Sequence, residues 1–95
     1  MRTEQLVSEA RIKPWGVYAS GKRWHAYRNG NGNVVVRHHA TDMVEITPSG
    51  EVLPISRGYG SVSDKQGLNK VFRYERAFVT VDGEKVPATY GTVFG

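Results

Sequence analysis

The 95 residues contain no cysteine. That excludes a disulfide framework and any thiolate-bound zinc or iron–sulfur centre, so stability must come from apolar burial and backbone pairing, and a reducing compartment suits the chain. Long apolar runs are missing too. Nothing approaches the roughly 20 residues that a bilayer-spanning helix needs, and Met1 to Ala10 lacks the apolar stretch of a signal peptide. A cytoplasmic protein without a membrane partner is therefore expected. Catalytic motifs are equally scarce: there is no G-x-S-x-G elbow, no H-E-x-x-H pair, no G-x-G-x-x-G loop and no Walker lysine. The acids Asp42, Glu45, Glu51, Asp64, Glu75, Asp82 and Glu84 fall mostly at turns or helix ends, where capping accounts for them. No catalytic residue and no cofactor is expected.

What is present points to one folded unit. Hydrophobic residues make up 39% of the chain and spread along its whole length, unlike the composition of disordered proteins, and the length supports one core but not two. A single domain, 1–95, is expected. Thirteen Lys and Arg against nine Asp and Glu leave a net charge of +4 and a pI near 9.6, a mild bias towards acidic partners.

Periodicity supplies the order of elements. Leu6, Val7 and Ala10 share one helical stripe within Thr3 to Lys13, with Thr3 as N-cap and Pro14 as the stop. Strand patterns follow over Trp15 to Ala19, Arg23 to Arg28, Val34 to His39, Met43 to Thr47 and Val52 to Ile55, separated by Gly-, Asn- and Pro-bearing turns. Ser63-Asp64-Lys65-Gln66 has the spacing of a capping box and opens a helix with Leu68, Val71 and Phe72 on one face, weakened at its start by Gly67. Ala77 to Val81 and Glu84 to Val86 flank Asp82-Gly83, a two-residue hairpin signal. Short turns exclude parallel crossovers except across that second helix. The expected class is α+β: a small, mostly antiparallel sheet with hairpins, packed by one main helix plus a short N-terminal helix. Thr89 to Gly95 reads as a loosely held tail, with Tyr90, Val93 and Phe94 able to dock.

Three groups of residues could carry function. His25, His38 and His39 with Asp42 are possible metal ligands, but adjacent strand residues point to opposite faces, so His38 and His39 cannot both reach one ion. His25 would face His38 if Asn31-Gly32 formed the hairpin loop, or Val36 if Gly30-Asn31 did. No metal site is expected, and the histidines read as surface or pH-sensitive groups. Arg57-Gly58-Tyr59-Gly60-Ser61, ahead of the helix, could cradle a small phosphorylated ligand over Gly58 to Ser63. Last, Arg23, Tyr27, Arg28, Arg37, Arg57, Tyr59, Lys70 and Arg73 mix cations with aromatics, the material of nucleic-acid binding by phosphate contact and base stacking. Alternation puts Arg23, His25 and Tyr27 on one face and Trp24 in the core.

Val34 to Phe72 resembles a small uncharacterised domain recurrent in tailed bacteriophages. The resemblance is carried by Met43-Val44-Glu45-Ile46-Thr47, Pro48-Ser49-Gly50-Glu51, Val52-Leu53-Pro54-Ile55, Gly60-Ser61-Val62-Ser63 and the asparagine-bearing Gly67-Leu68-Asn69-Lys70-Val71-Phe72. It implies a phage accessory protein in a bacterial host cell that works by stoichiometric binding. The leading expectation is a non-enzymatic inhibitor-like protein bound to a host or defence protein through Tyr27, Tyr59, Arg57 and Arg73. The alternative is a nucleic-acid-binding module using Arg23, Tyr27, Arg28, Arg37, Lys70 and Arg73. Homo-oligomerisation through free strand edges is compatible with either.

Overall fold

Tight turns lay out the sheet. In the computed structural model, which describes residues 1–95, a 3-10 turn at Thr3–Gln5 runs into helix α1 (Leu6–Ile12). Five strands follow: β1 (Val17–Ala19), β2 (Trp24–Arg28), β3 (Val34–His38), β4 (Thr41–Ile46) and β5 (Val52–Pro54). They pair in chain order, each antiparallel to the next, because every connection is too short for a crossover. Helix α2 (Val62–Glu75), a hairpin of β6 (Phe78–Val81) and β7 (Glu84–Pro87), and helix α3 (Tyr90–Phe94) complete an α+β fold. The second hairpin touches the main sheet through one parallel bridge, Glu51 with Phe78, the connection that spans α2.

Asp82 and Gly83 turn at φ 50 and 80, as a two-residue loop between right-twisted strands requires. The Asn-Gly loop differs from both registers considered above. Asn29 Oδ1 accepts from the Asn31 and Asn33 amides at 3.1 Å each, and Asn29 N–H donates to the Asn33 carbonyl at 2.8 Å. Gly30-Asn31-Gly32 thus becomes a three-residue loop closed by a left-handed Gly32 at φ 80. His25 faces Arg37 and Trp24 faces His38. Paired residues share a face, so this register sends His38 inward with Trp24, where both two-residue registers would have sent it outward with His25. In β4, Met43 is the extra residue of a bulge opposite Val36 and Arg37, and both Met43 and Val44 are buried.

The inner face of the sheet presents Trp24, Ala26, Val34, Val36, Val44, Ile46 and Val52 to Leu6, Val7 and Ala10 of α1 and to Leu68, Val71 and Phe72 of α2. The helical stripes and strand alternation read from the sequence are those of this core. Three local expectations are corrected. Thr3 does not cap the first helix; its Oγ1 shares a hydrogen bond with Ser20 Oγ at 2.9 Å, and the chain enters through a 3-10 turn. The cap of α2 is Ser61, whose Oγ accepts from the Asp64 amide at 3.1 Å, so the box is Ser61 with Asp64 and begins two residues earlier than Ser63. Strand β1 starts at Val17 because Gly16, at φ 129, breaks the extended run and leaves Trp15 exposed.

The tail is not loose. Thr89 caps α3, Asn69 Oδ1 accepts from the Tyr90 amide at 2.8 Å, and the buried Tyr90 donates its hydroxyl to the Arg57 carbonyl at 2.6 Å. Tyr90→Phe removes that donor and strands a carbonyl, so a loss of about 1–2 kcal/mol is expected, read as a lower urea midpoint at unchanged slope. An unchanged midpoint would mean that the hydroxyl does not hold the tail.

Candidate functional site

The start of α2 is organised around one carboxylate. Asp64 is buried, and its Oδ2 accepts from the Tyr59 and Ser61 amides at 3.2 Å each. Its Oδ1 lies 2.5 Å from His38 Nδ1 on β3. Burial alone would push the Asp64 carboxyl upward, but the contact with His38 and the bonds from Ser61 outweigh it and hold the group below its ordinary value. Asp64 is therefore ionised near neutrality, and its partner nitrogen supplies the proton. Within the Gly58 to Ser63 turn, the Tyr59 and Ser61 amides are therefore taken by the protein's own carboxylate and the Gly58 amide by Ser56 Oγ, so none of the three is free to donate to a phosphate.

His38 is only 4% exposed, which overturns its reading as a surface histidine. Its ring stacks on Trp24, with centroids 4.0 Å apart and planes 12° apart, and meets His39 at 4.2 Å. Nε2 makes no hydrogen bond. The only enclosed polar side-chain atoms without a hydrogen bond are Arg37 Nε and Asp42 Oδ1, which face each other as an ion pair at 3.3 Å. Nε2 is thus not sealed in the interior, and His38 is part of the wall of an open polar cleft of about 370 Å³.

That cleft runs between the β1–β2 turn and α2, lined by Thr3, Ser20, Arg23, His39, Ser63, Gln66 and Lys70 as well as by Trp24 and His38. Adjoining depressions extend it along α2 past Arg2, Glu4, Arg73 and Tyr74. The carboxylates engaged by basic side chains are Glu75, held by Arg11, Asp42, held by Arg37, and Asp64, held by His38. Arg2, Arg23, Lys70 and Arg73 therefore line adjoining parts of one groove without an ion-pair partner, and Glu4 is the one carboxylate that lines it beside them. The Thr3–Ser20 hydrogen bond ties two walls of the groove together.

The eight residues singled out from the sequence do not form one face. Arg23, Lys70 and Arg73 line the groove. Arg23 does not join His25 and Tyr27, because β2 begins at Trp24 and Lys22 turns at φ 72, so alternation does not reach back to it. Tyr27 and Arg37 lie on the open face of the sheet: the Tyr27 hydroxyl donates to Asp42 at 3.1 Å, and Arg37 pairs with Asp42 at 3.3 Å and donates to the Ala40 carbonyl. Burial and the bond to Asp42 push the Tyr27 hydroxyl up. His25 stacks on Tyr18 there, with centroids 4.4 Å apart, and burial with nearby Arg37 lowers its tendency to protonate. Arg28 is exposed at the strand end. Arg57 donates to the Phe94 carbonyl on the far side, and Tyr59 projects into solvent. A separate apolar groove of about 680 Å³ lies between the end of α2 and the β6–β7 hairpin, floored by Phe72, Phe78, Val86, Pro87 and Ala88 and edged by Arg73, Arg76 and Lys85.

Sequence reasoning missed Arg2 and the His38–Asp64 pair. Asp64 stood at the third position after a serine, which signals a cap; nothing in its spacing named His38 as its second partner. Compared with protein-family models, curated proteins and solved structures, the chain matches none. No cluster of three potential ligands could hold a metal ion, and no helix is long and apolar enough to cross a membrane.

Proposed function

We propose that this protein is a non-enzymatic binding module that takes the sugar–phosphate backbone of a single nucleic-acid strand along the groove between the β1–β2 turn and α2. The observation that carries this reading is the set of four cations, Arg2, Arg23, Lys70 and Arg73, that share the groove and have no carboxylate partner. Placing like charges together costs free energy unless an anion neutralises them, and each phosphate bound releases condensed counterions. The bacteriophage resemblance supports an accessory role by stoichiometric binding in a host cell. A second reading keeps a host or defence protein as the partner. It is favoured by the apolar groove under Arg73, Arg76 and Lys85, whose chemistry fits an apolar segment bearing acidic residues.

The test is anisotropy of labelled single strands over a salt series. Converting both Lys70 and Arg73 to alanine is expected to weaken binding by about tenfold or more and to flatten the log–log salt slope by about 1.4, since each phosphate contact on a single strand contributes about 0.7. Arg28→Ala, remote from the groove, should bind as the parent does. Binding that ignores salt, or that survives the double substitution, would remove the groove from consideration and leave the protein-partner reading.

A further inference from the structure

The cleft holds one feature that phosphate binding does not use, the unpaired nitrogen of a buried histidine. Asp64 accepts from two backbone amides and is ionised, so it receives rather than gives the hydrogen in its contact with His38 Nδ1. A neutral imidazole with its proton on Nδ1 presents a lone pair at Nε2. The stack on Trp24 and the bond to Asp64 fix the ring, so this acceptor is pre-organised, and His38 lines the cleft that Arg23 and Lys70 also line. A phosphate has no hydrogen to offer it. A strand whose phosphates lie on Arg23 and Lys70 carries its sugars alongside, and the ribose 2′-hydroxyl is the hydrogen donor that RNA has at each sugar and DNA lacks.

Building on the groove reading above, we propose that the cleft selects RNA over DNA, with His38 Nε2 accepting a hydrogen bond from a ribose 2′-hydroxyl while Arg23 and Lys70 hold the adjacent phosphates. His38 is a specificity residue here, and Asp64 is its positioning residue. Ser63 and Gln66, on the α2 side of the cleft, add polar partners for the sugar or base edge.

Ligand variants test the proposal without disturbing the fold. Three oligonucleotides of one sequence, RNA, DNA and fully 2′-O-methylated RNA, are titrated against the intact protein. The expected result is RNA binding about five- to tenfold tighter than DNA, the scale of one hydrogen bond to a pre-organised acceptor. The 2′-O-methyl strand, which keeps RNA's sugar pucker but has no hydrogen to give, should fall to the DNA level. The His38 Nε2 nitrogen resonance should move on adding RNA and stay put with the methylated strand. Equal affinity for RNA and DNA overturns the proposal while leaving the groove intact. A preference for RNA that survives methylation overturns it as well, because the preference then lies in backbone shape. Absence of binding to all three strands overturns the groove reading itself.

Discussion

Gly67→Ala is expected to destabilise the protein by about 3 kcal/mol, a large fraction of the 5–15 kcal/mol that usually separates folded from unfolded domains. The expectation runs against helix propensity, by which alanine in a helix interior gains about 1 kcal/mol over glycine. Geometry decides the sign. A Cβ at Gly67 would stand 2.0 Å from Trp24 Cζ2 and 2.6 Å from Cε2, distances that no real side-chain carbon tolerates. The indole cannot retreat, since its ring is stacked on His38, which is itself tied to Asp64 on α2. Either α2 lifts from the sheet or Trp24 leaves its rotamer; overpacking typically costs about 1–3 kcal/mol and more where the overlap is this deep against a held ring, which outweighs the propensity gain of about 1 kcal/mol. For a chain of this size, Tm should fall by more than about 10 °C. A Tm equal to or above that of the parent would show that the helix and Trp24 do not approach as described. Trp24→Phe removes the benzo-ring atoms that collide, so the double variant should recover part of the loss, a coupling that a propensity effect would not produce.

Gly67 also shows where the sequence could be read and where it could not. As a local signal it is a helix weakener and nothing more; its reason for being there lies in a residue 43 positions away on β2. The elements themselves were legible because each follows from near neighbours. The stripe of Leu68, Val71 and Phe72, the alternation of β2 from Trp24 onward and the Asp82-Gly83 turn need no distant partner, and these stand in the structure as read, Arg23 alone falling outside the strand. The register of the β2–β3 hairpin was not legible in the same way. Two overlapping Asn-Gly pairs offered two two-residue loops, and the choice fell to neither because the Asn29 side chain gathers two amides and closes a three-residue loop instead. That single residue of shift decides which face His38 occupies.

The site depends on that shift. With His38 outward beside His25, Asp64 would be a buried carboxylate held only by the amides of its own cap, and the cleft would be a basic depression without an acceptor. With His38 inward, the ring joins β3 to α2 and lines the same cleft as Arg23 and Lys70. The eight candidate residues scattered for a related reason. Charge and aromaticity mark them as surface groups, but assignment to a common face needs the sheet's register and the course of α2, neither of which follows from composition. Arg37 and Tyr27, promising in the sequence, are held by Asp42 on the sheet's open side. Arg2, unremarkable in the sequence, borders the groove because the Thr3–Ser20 bond fastens the N-terminal turn there.

The same junction predicts the second large effect. Asp64→Ala is expected to cost about 3–5 kcal/mol, because it deletes the side chain that receives the Tyr59 and Ser61 amides and leaves His38 Nδ1 buried without an acceptor. The Ser61 bond is one half of the capping box, so its loss also frays the first turn of α2. Asp64→Asn preserves the shape but turns an amide group towards donors, so it should recover only part of the difference. The pH dependence distinguishes the charge from the shape. The carboxyl is held below its ordinary value in the folded protein, so its contribution is fully present above the unfolded value of about 3.9 and is lost as pH falls through the lower folded value. Urea midpoints of the parent and the Asn variant should therefore lie far apart at about pH 7 and converge as the solution is taken below about pH 4, the parent losing stability faster. A gap that stays constant across that range would mean that Asp64 acts through shape and neutral hydrogen bonds, and the charge-based account of how it holds His38, and with it the fixed lone pair at Nε2, would have to be abandoned.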